Sequence, residues 1–278
     1  MKRLISIELQ KIWKNKASRV LTLTYFILLS FIALIASIKF DIGVFKFHLA
    51  EMGIFNFPFI WHFNTYVAAW LKFFLAIVIV SMMANEYSYG TLKQNLIDGL
   101  SKKEFILSKF LTVVLFALCS TIFVFIMSLI LGLCFSSYTE FGIIFTDLDY
   151  LLAFFVKLTG FFSFCLFLGI LVKRSAFALG FLLVWSIIEA IIKGLLVFQI
   201  FPNSKTGDYV MQFLPLEAMS NLIVEPITRL SVVKNIGTQM GVESTKDYGV
   251  HYLSILIVLV WTFLFIHFSY KLLKNRDL

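Results

Sequence analysis

Four ionisable residues interrupt otherwise apolar runs: Lys72, Lys157, Glu189 and Lys193. A charge surrounded by hydrocarbon is expensive unless it is paired, hydrated or functional. Glu189 and Lys193 stand four apart, acid before base, the favourable order for a pair on a helix. Counted at about 1.5 Å per residue from the outer end of each run, Lys157 and Glu189 lie about 10–14 Å deep, Lys72 about 12 Å and Lys193 about 8 Å. Groups at one level on three runs can line a water-accessible outer cavity or a contact between subunits. The competing reading is that the lysines snorkel to headgroups while Lys193 neutralises Glu189.

Other chemistry is missing from the chain. It has no Gly-x-x-x-x-Gly-Lys-Ser/Thr, so it has no P-loop for ATP. It has no His-Glu-x-x-His, Cys-x-x-Cys or Gly-x-Ser-x-Gly. His48, His62, His251 and His267 are scattered, which argues against a metal site. Cys119, Cys134 and Cys165 all sit in apolar runs and read as small buried hydrophobes. An enzyme acting on lipid is disfavoured because no paired acidic or histidine cluster marks the ends of the runs.

The elements that carry these residues follow from composition. Of 278 residues, 60% are hydrophobic and 14% charged, and Phe occurs 33 times. A soluble fold of this length could not hide that much apolar surface, so the chain reads as an all-α membrane protein in one domain. A bilayer core needs about 20 apolar residues per helix. Six runs qualify: 20–38, 64–84, 110–138, 150–172, 176–198 and 252–270. Trp61, Tyr66, Trp70, Tyr138, Tyr150 and Tyr252 fall near their outer ends and read as an aromatic belt. The net charge of +8 would suggest nucleic acid in a soluble protein; here it sorts by side instead. Of the 24 basic residues, fifteen lie at the termini, in 85–109 and at Lys173–Arg174, whereas Lys39, Lys46, Lys205, Arg229, Lys234 and Lys246 lie on the other face. The positive-inside rule then places both termini in the cytoplasm.

Two segments outside the spans are distinctive. In residues 1–19, Ile5, Leu9, Ile12 and Trp13 form one apolar helical face while Lys2, Lys11 and Lys14 decorate the rest. This predicts an amphipathic helix on the inner leaflet, held by apolar burial and anionic lipid. In residues 85–109, Tyr89, Leu92 and Leu96 share a face, Asp98-Gly99 signals a turn, and Ser101 with Glu104 forms a capping box that opens the next helix. The expected shape is a short surface helix, a sharp turn and a membrane helix. Such an element can both transmit force and meet a partner.

Glu86, Gly90-Thr91-Leu92-Lys93, Leu96, Gly99, Ser101-Lys102-Lys103 and Ser108-Lys109 resemble the segment between the second and third spans of bacterial ABC type 2 permeases. The likeness is to the branch that includes lantibiotic and bacitracin self-protection permeases. The resemblance implies the membrane subunit of an ATP-binding-cassette exporter in the bacterial inner membrane, exporting a hydrophobic or amphipathic cargo. It implies an N-terminal elbow helix, a coupling helix that docks on a separate ATPase subunit, and re-entrant helices in 199–251. ATP and Mg would be bound by that ATPase and no cofactor by this chain; a second permease subunit, of the same or a related chain, would complete the cargo path. Carried over residue by residue, the docking contacts are Glu86, Gly90, Thr91, Leu92, Lys93, Leu96, Lys102 and Lys103. Residues 228–248 are polar and look like an added outer segment. The rival is a stand-alone secondary transporter or channel that uses the intramembrane Lys and Glu.

Overall fold

In the computed structural model, residues 2–38, 40–42, 45–47, 52–202, 206–230, 233 and 246–276 are described. Helix α1 (Lys2–Lys14) ends at Asn15, whose extended backbone breaks the helix and whose side chain accepts the Ser18 N–H at 3.1 Å to cap α2 (Lys16–Ser37). A short antiparallel ribbon pairs Phe40–Ile42 with Phe45–Phe47. Then come α3 (Phe59–Trp70), α4 (Lys72–Ser88), α5 (Thr91–Ile97), α6 (Lys102–Phe135), α7 (Phe141–Ile144), α8 (Asp149–Val172) and α9 (Ser175–Gly194). A π-helical turn, Leu195–Ile200, extends α9. Two short helices, α10 (Thr206–Met211) and α11 (Pro215–Asn221), precede a 3₁₀ turn at Ile227–Arg229 and the closing α12 (Tyr252–Lys274).

Five stretches are long and apolar enough to cross a membrane: Lys16–Ser37, Lys102–Phe135, Phe141–Val172, Ser175–Ile200 and Tyr252–Lys274. The pair α3 and α4 meets the same test jointly, bent by 45° around Leu71, and makes a sixth if counted as one span. The chain is therefore a helical membrane protein. Its second apolar element begins at Phe59 and not at 64, because the helix starts directly after Pro58. The third begins at Lys102, since Ser101 and Glu104 cap each other's backbone N–H groups.

Helix α8 is the hub. It is enclosed on most sides by α3, α4, α6, α9 and α12. By contrast, α9 leaves Phe177, Phe181, Val184, Ile187 and Ile191 exposed, a contiguous apolar face of the kind that lipid covers. Trp61 and Tyr150 depart from the aromatic-belt reading: both turn inward. The Trp61 indole N–H donates to the Ile144 carbonyl at 2.8 Å and its ring stacks on Phe125. Tyr150 stacks on His62. Buried aromatic N–H and O–H groups need such partners, and the loops above these spans supply them.

Helix α1 and the end of α12 both pack at the start of α6, at one end of the bundle, here termed basal. Arg276 donates to the carbonyls of Ile170 and Leu171, the last turn of α8, at 2.6 and 3.1 Å. A cation suits that negative helix end. The opposite, distal end carries α7, α10, α11 and the turn after it. Of the polar stretch 228–248, residues 231, 232 and 234–245 lie outside the described residues, as do Lys39, Lys205 and Lys234.

Candidate functional sites

At the basal end, four charges from three helices interlock. Lys109, fully buried on α6, places Nζ 2.5 Å from Glu8 Oε2 and 2.6 Å from Glu86 Oε1. Lys11 of α1 reaches Glu86 Oε1 at 2.8 Å and Glu8 Oε1 at 3.4 Å. The other oxygen of Glu86 accepts from Thr91 Oγ1 at 2.6 Å and Asn95 Nδ2 at 3.4 Å, both on α5. Two acids balance two bases, so the cluster is neutral, as burial requires. Burial opposes the charge on Lys11, but its hydrogen bond to Glu86 and the fields of Glu8 and Glu86 outweigh it and hold the ammonium above its ordinary value.

The cluster ties α1, α4 and α6 to the short helix α5. Gly90 (φ +67°) and Gly99 (φ +95°) bracket α5 in the left-handed region, where other residues are strained. Leu92 and Leu96 face the core, while Tyr89, Gly90, Lys93, Gln94, Ile97 and Asp98 face out. Two of the residues expected to dock are buried in this chain, and Leu96 is partly so. Glu86 and Leu92 are both buried in the chain's own interior, Glu86 because its carboxylate completes the ion cluster and Leu92 because it anchors α5. Thr91 is occupied by Glu86. Lys102 donates to the carbonyls of Lys274 and Arg276. Lys93 and Lys103 remain exposed with Gly90.

At the distal end, the expected Glu189–Lys193 pair is replaced. Glu189 accepts from the backbone N–H of Leu216 at 3.2 Å and of Glu217 at 3.0 Å, and from the Trp185 indole at 2.6 Å. Lys193 instead meets Glu217 at 2.5 Å. Lys157 points at the Ser220 carbonyl, 3.4 Å away. Three of the four intramembrane charges thus grip one helix, α11: the acid at its positive end, a base near its negative end, a second base on its side chain. Lys72 places its ammonium 4.5 Å from the centroid of the Phe161 ring. Helix α11 packs against α8, α9 and α12.

Above α11 the chain is pinned again. His62 Nε2 donates to the Val224 carbonyl at 2.7 Å, leaving Nδ1 to accept from Arg229 at 3.1 Å, and this fixes the neutral tautomer. Arg229 also donates to Tyr150 and lies over the Phe59 and Tyr248 rings. Partial burial raises the Glu225 carboxyl, but the Thr228 N–H at 2.9 Å and Lys246 at 3.1 Å outweigh it and hold it below its ordinary value. A depressed carboxyl contributes stability that is present above its unfolded pKa, about 4.3, and is lost as pH falls through the lower folded value. The protection of the amides of residues 225 and 227–229, taken relative to the intrinsic exchange rate at each pH, is expected to fall on acidification below about pH 4, and E225Q should remove that dependence.

Sequence reasoning missed Glu8, and it noted Lys109 without its pairing to Glu8 and Glu86. A signal was present: Glu8 is the single acid among the first forty residues. In a basic amphipathic segment, a lone acid on the helix needs a partner, and Lys109 supplies it from across the bundle.

A 62-residue stretch is 40% identical to the uncharacterized protein YhcI of Bacillus subtilis (strain 168), covering 22% of this chain and 20% of that one. The chain thus matches about a fifth of the length of this relative. A family profile described as protein of unknown function, DUF2705, matches residues 25–278. That match takes in every described helix from the body of α2 onward, so the chain belongs to the DUF2705 family.

Proposed function

We propose that this chain is the transmembrane permease subunit of an ATP-binding-cassette exporter, with α5 as its coupling helix and α1 as its elbow helix. The observation that carries the reading is the build of α5: a glycine-bracketed surface helix, held from beneath by a neutral ion cluster that reaches two membrane helices and α1. A helix so held passes a push at its outer face into α4, α6 and α1 together. Its outer face offers Tyr89, Lys93, Gln94 and Ile97 to a partner. The basal end would lie in the cytoplasm of a bacterium, in keeping with its excess of lysine and arginine. The bent pair α3–α4 would count as one of six spans, and α10–α11 would be a re-entrant hairpin. ATP and Mg would be held by the separate ATPase subunit, and two permease subunits would enclose the cargo path.

The test is co-purification of the tagged full chain from its native membrane. An ATP-hydrolysing subunit should accompany it. I97D and Y89A, on the exposed face, should each reduce the recovered ATPase at least about tenfold, the effect of losing a central contact residue, without altering the thermal midpoint. Gradient-driven transport by the purified chain with no ATPase present would instead establish the rival secondary transporter or channel.

A further inference from the structure

Helix α1 runs between two cavities. One, of about 310 Å³, is lined by Glu8, Lys11, Asn85, Glu86 and Thr91 of the ion cluster. The other, of about 730 Å³, is apolar and is bounded by α1, α2 and α6. Ile5, Leu9 and Trp13 form its α1 wall, Phe26 its α2 wall, and Phe116 with Cys119 its α6 wall. Its size falls in the range of small-molecule sites, roughly 300–1,000 Å³.

We propose that this groove is a binding site for one anionic phospholipid, with an acyl chain between α1, α2 and α6 and the phosphate at Lys14. Three observations converge on that occupant. The first is height. The groove extends along α2 as far as Phe26, ten residues beyond the start of that helix, which is about 15 Å of rise. That is the depth of one leaflet's hydrocarbon, about half of 30 Å. The second is its edge. Ser6, Gln10 and Lys14, spaced four apart, make one polar stripe along the apolar groove, and Arg3 lies one turn before them.

The third is charge. Glu8, the only acid of α1, faces away and is satisfied by Lys109 and Lys11. The exposed charges of α1 and the following turn, Arg3, Lys14, Lys16 and Arg19, are therefore all positive. Among the described residues Lys14 meets no carboxylate. A long apolar slot with a purely cationic rim complements a lipid anion, whereas a second copy of this helix would bring its own cations against it. Lipid seated there would press α1 onto α6 through Ile12, which is buried between the groove and the ion cluster. The site rests on the reading that the basal end lies at the membrane interface.

Trp13 lines the groove and is exposed, so its fluorescence reports the occupant. The full chain is reconstituted in phosphatidylcholine vesicles containing a small mole fraction of either acyl-brominated phosphatidylglycerol or acyl-brominated phosphatidylcholine. The signal of the W13F protein is subtracted. Brominated phosphatidylglycerol should quench as if about fivefold enriched at Trp13 over the zwitterionic lipid, the effect of one basic contact. K14Q should abolish the enrichment while leaving quenching itself. C119F, which fills the slot from α6 without adding an indole, should lower quenching by both lipids, and inorganic phosphate should not compete. Equal quenching by both lipids, or a preference that survives K14Q, overturns the site but leaves the interfacial helix standing. No quenching by either lipid shows that α1 is away from the membrane and removes the reading beneath the site as well. Absence of quenching with a Cys119–Cys119 crosslink between copies would place a second chain in the groove and also overturn the proposal.

Discussion

K109M is expected to destabilise the basal end by about 3–5 kcal/mol, the usual penalty when one partner of a buried ion pair is removed. Lys109 has no exposure to solvent and neutralises two carboxylates at 2.5 and 2.6 Å. Without it, Lys11, which is half-exposed, must balance both Glu8 and Glu86. One charge stays uncompensated inside the protein. The double variant K109M/E8Q restores neutrality, since Lys11 and Glu86 then form a single pair, and should recover most of the loss. Thermal unfolding of the purified full chain in detergent measures both. A K109M midpoint equal to that of the native protein would remove the cluster from any structural account. A double variant no better than the single one would show that geometry, not charge balance, is what the cluster supplies.

What the sequence disclosed about these sites follows the range of the interactions. Ser101 and Glu104 announced the start of α6 because a capping box is closed within four residues. Asp98-Gly99 marked the end of α5 for the same local reason, whereas Gly90, whose positive φ sets its start, carried no such reading. Five of the six apolar runs reappear as helices long and apolar enough to cross a membrane, and the second as a bent pair that starts at Phe59, five residues before the run. Glu8 and Lys109 are 101 residues apart, and no pattern along the chain pairs them. Glu86 was singled out by position after the second run, but its direction was not: in a helix end that carries Asn85, Tyr87 and Ser88 as well, only the packing of α1 and α6 decides which side turns inward. Glu189 and Lys193 show the opposite failure. Their spacing offers a local pair, yet α11 brings two free backbone N–H groups and a carboxylate, and these out-compete it.

That exchange of partners makes Glu189 the position whose loss should most disturb the distal end. E189L deprives the first turn of α11 of its acceptor and orphans the N–H groups of Leu216 and Glu217 and the Trp185 indole, each within the chain's own packing. Unsatisfied buried donors cost about 1–3 kcal/mol each, so about 3 kcal/mol of local stability is expected to go. Amide exchange at Ala218 and Met219, both buried, should accelerate by about a hundredfold, as that energy converts. E189Q keeps an acceptor oxygen and should show only a small part of the effect. K193M should show less than E189L, because the Lys193 side chain is 43% exposed and its pair with Glu217 is screened. The order of the three variants is diagnostic. A carboxylate whose job is to face cargo in an open cavity would change transport in E189Q as much as in E189L and leave α11 protected in both. A carboxylate that caps α11 separates the two, and any effect on the proposed transport would then pass through the position of α11.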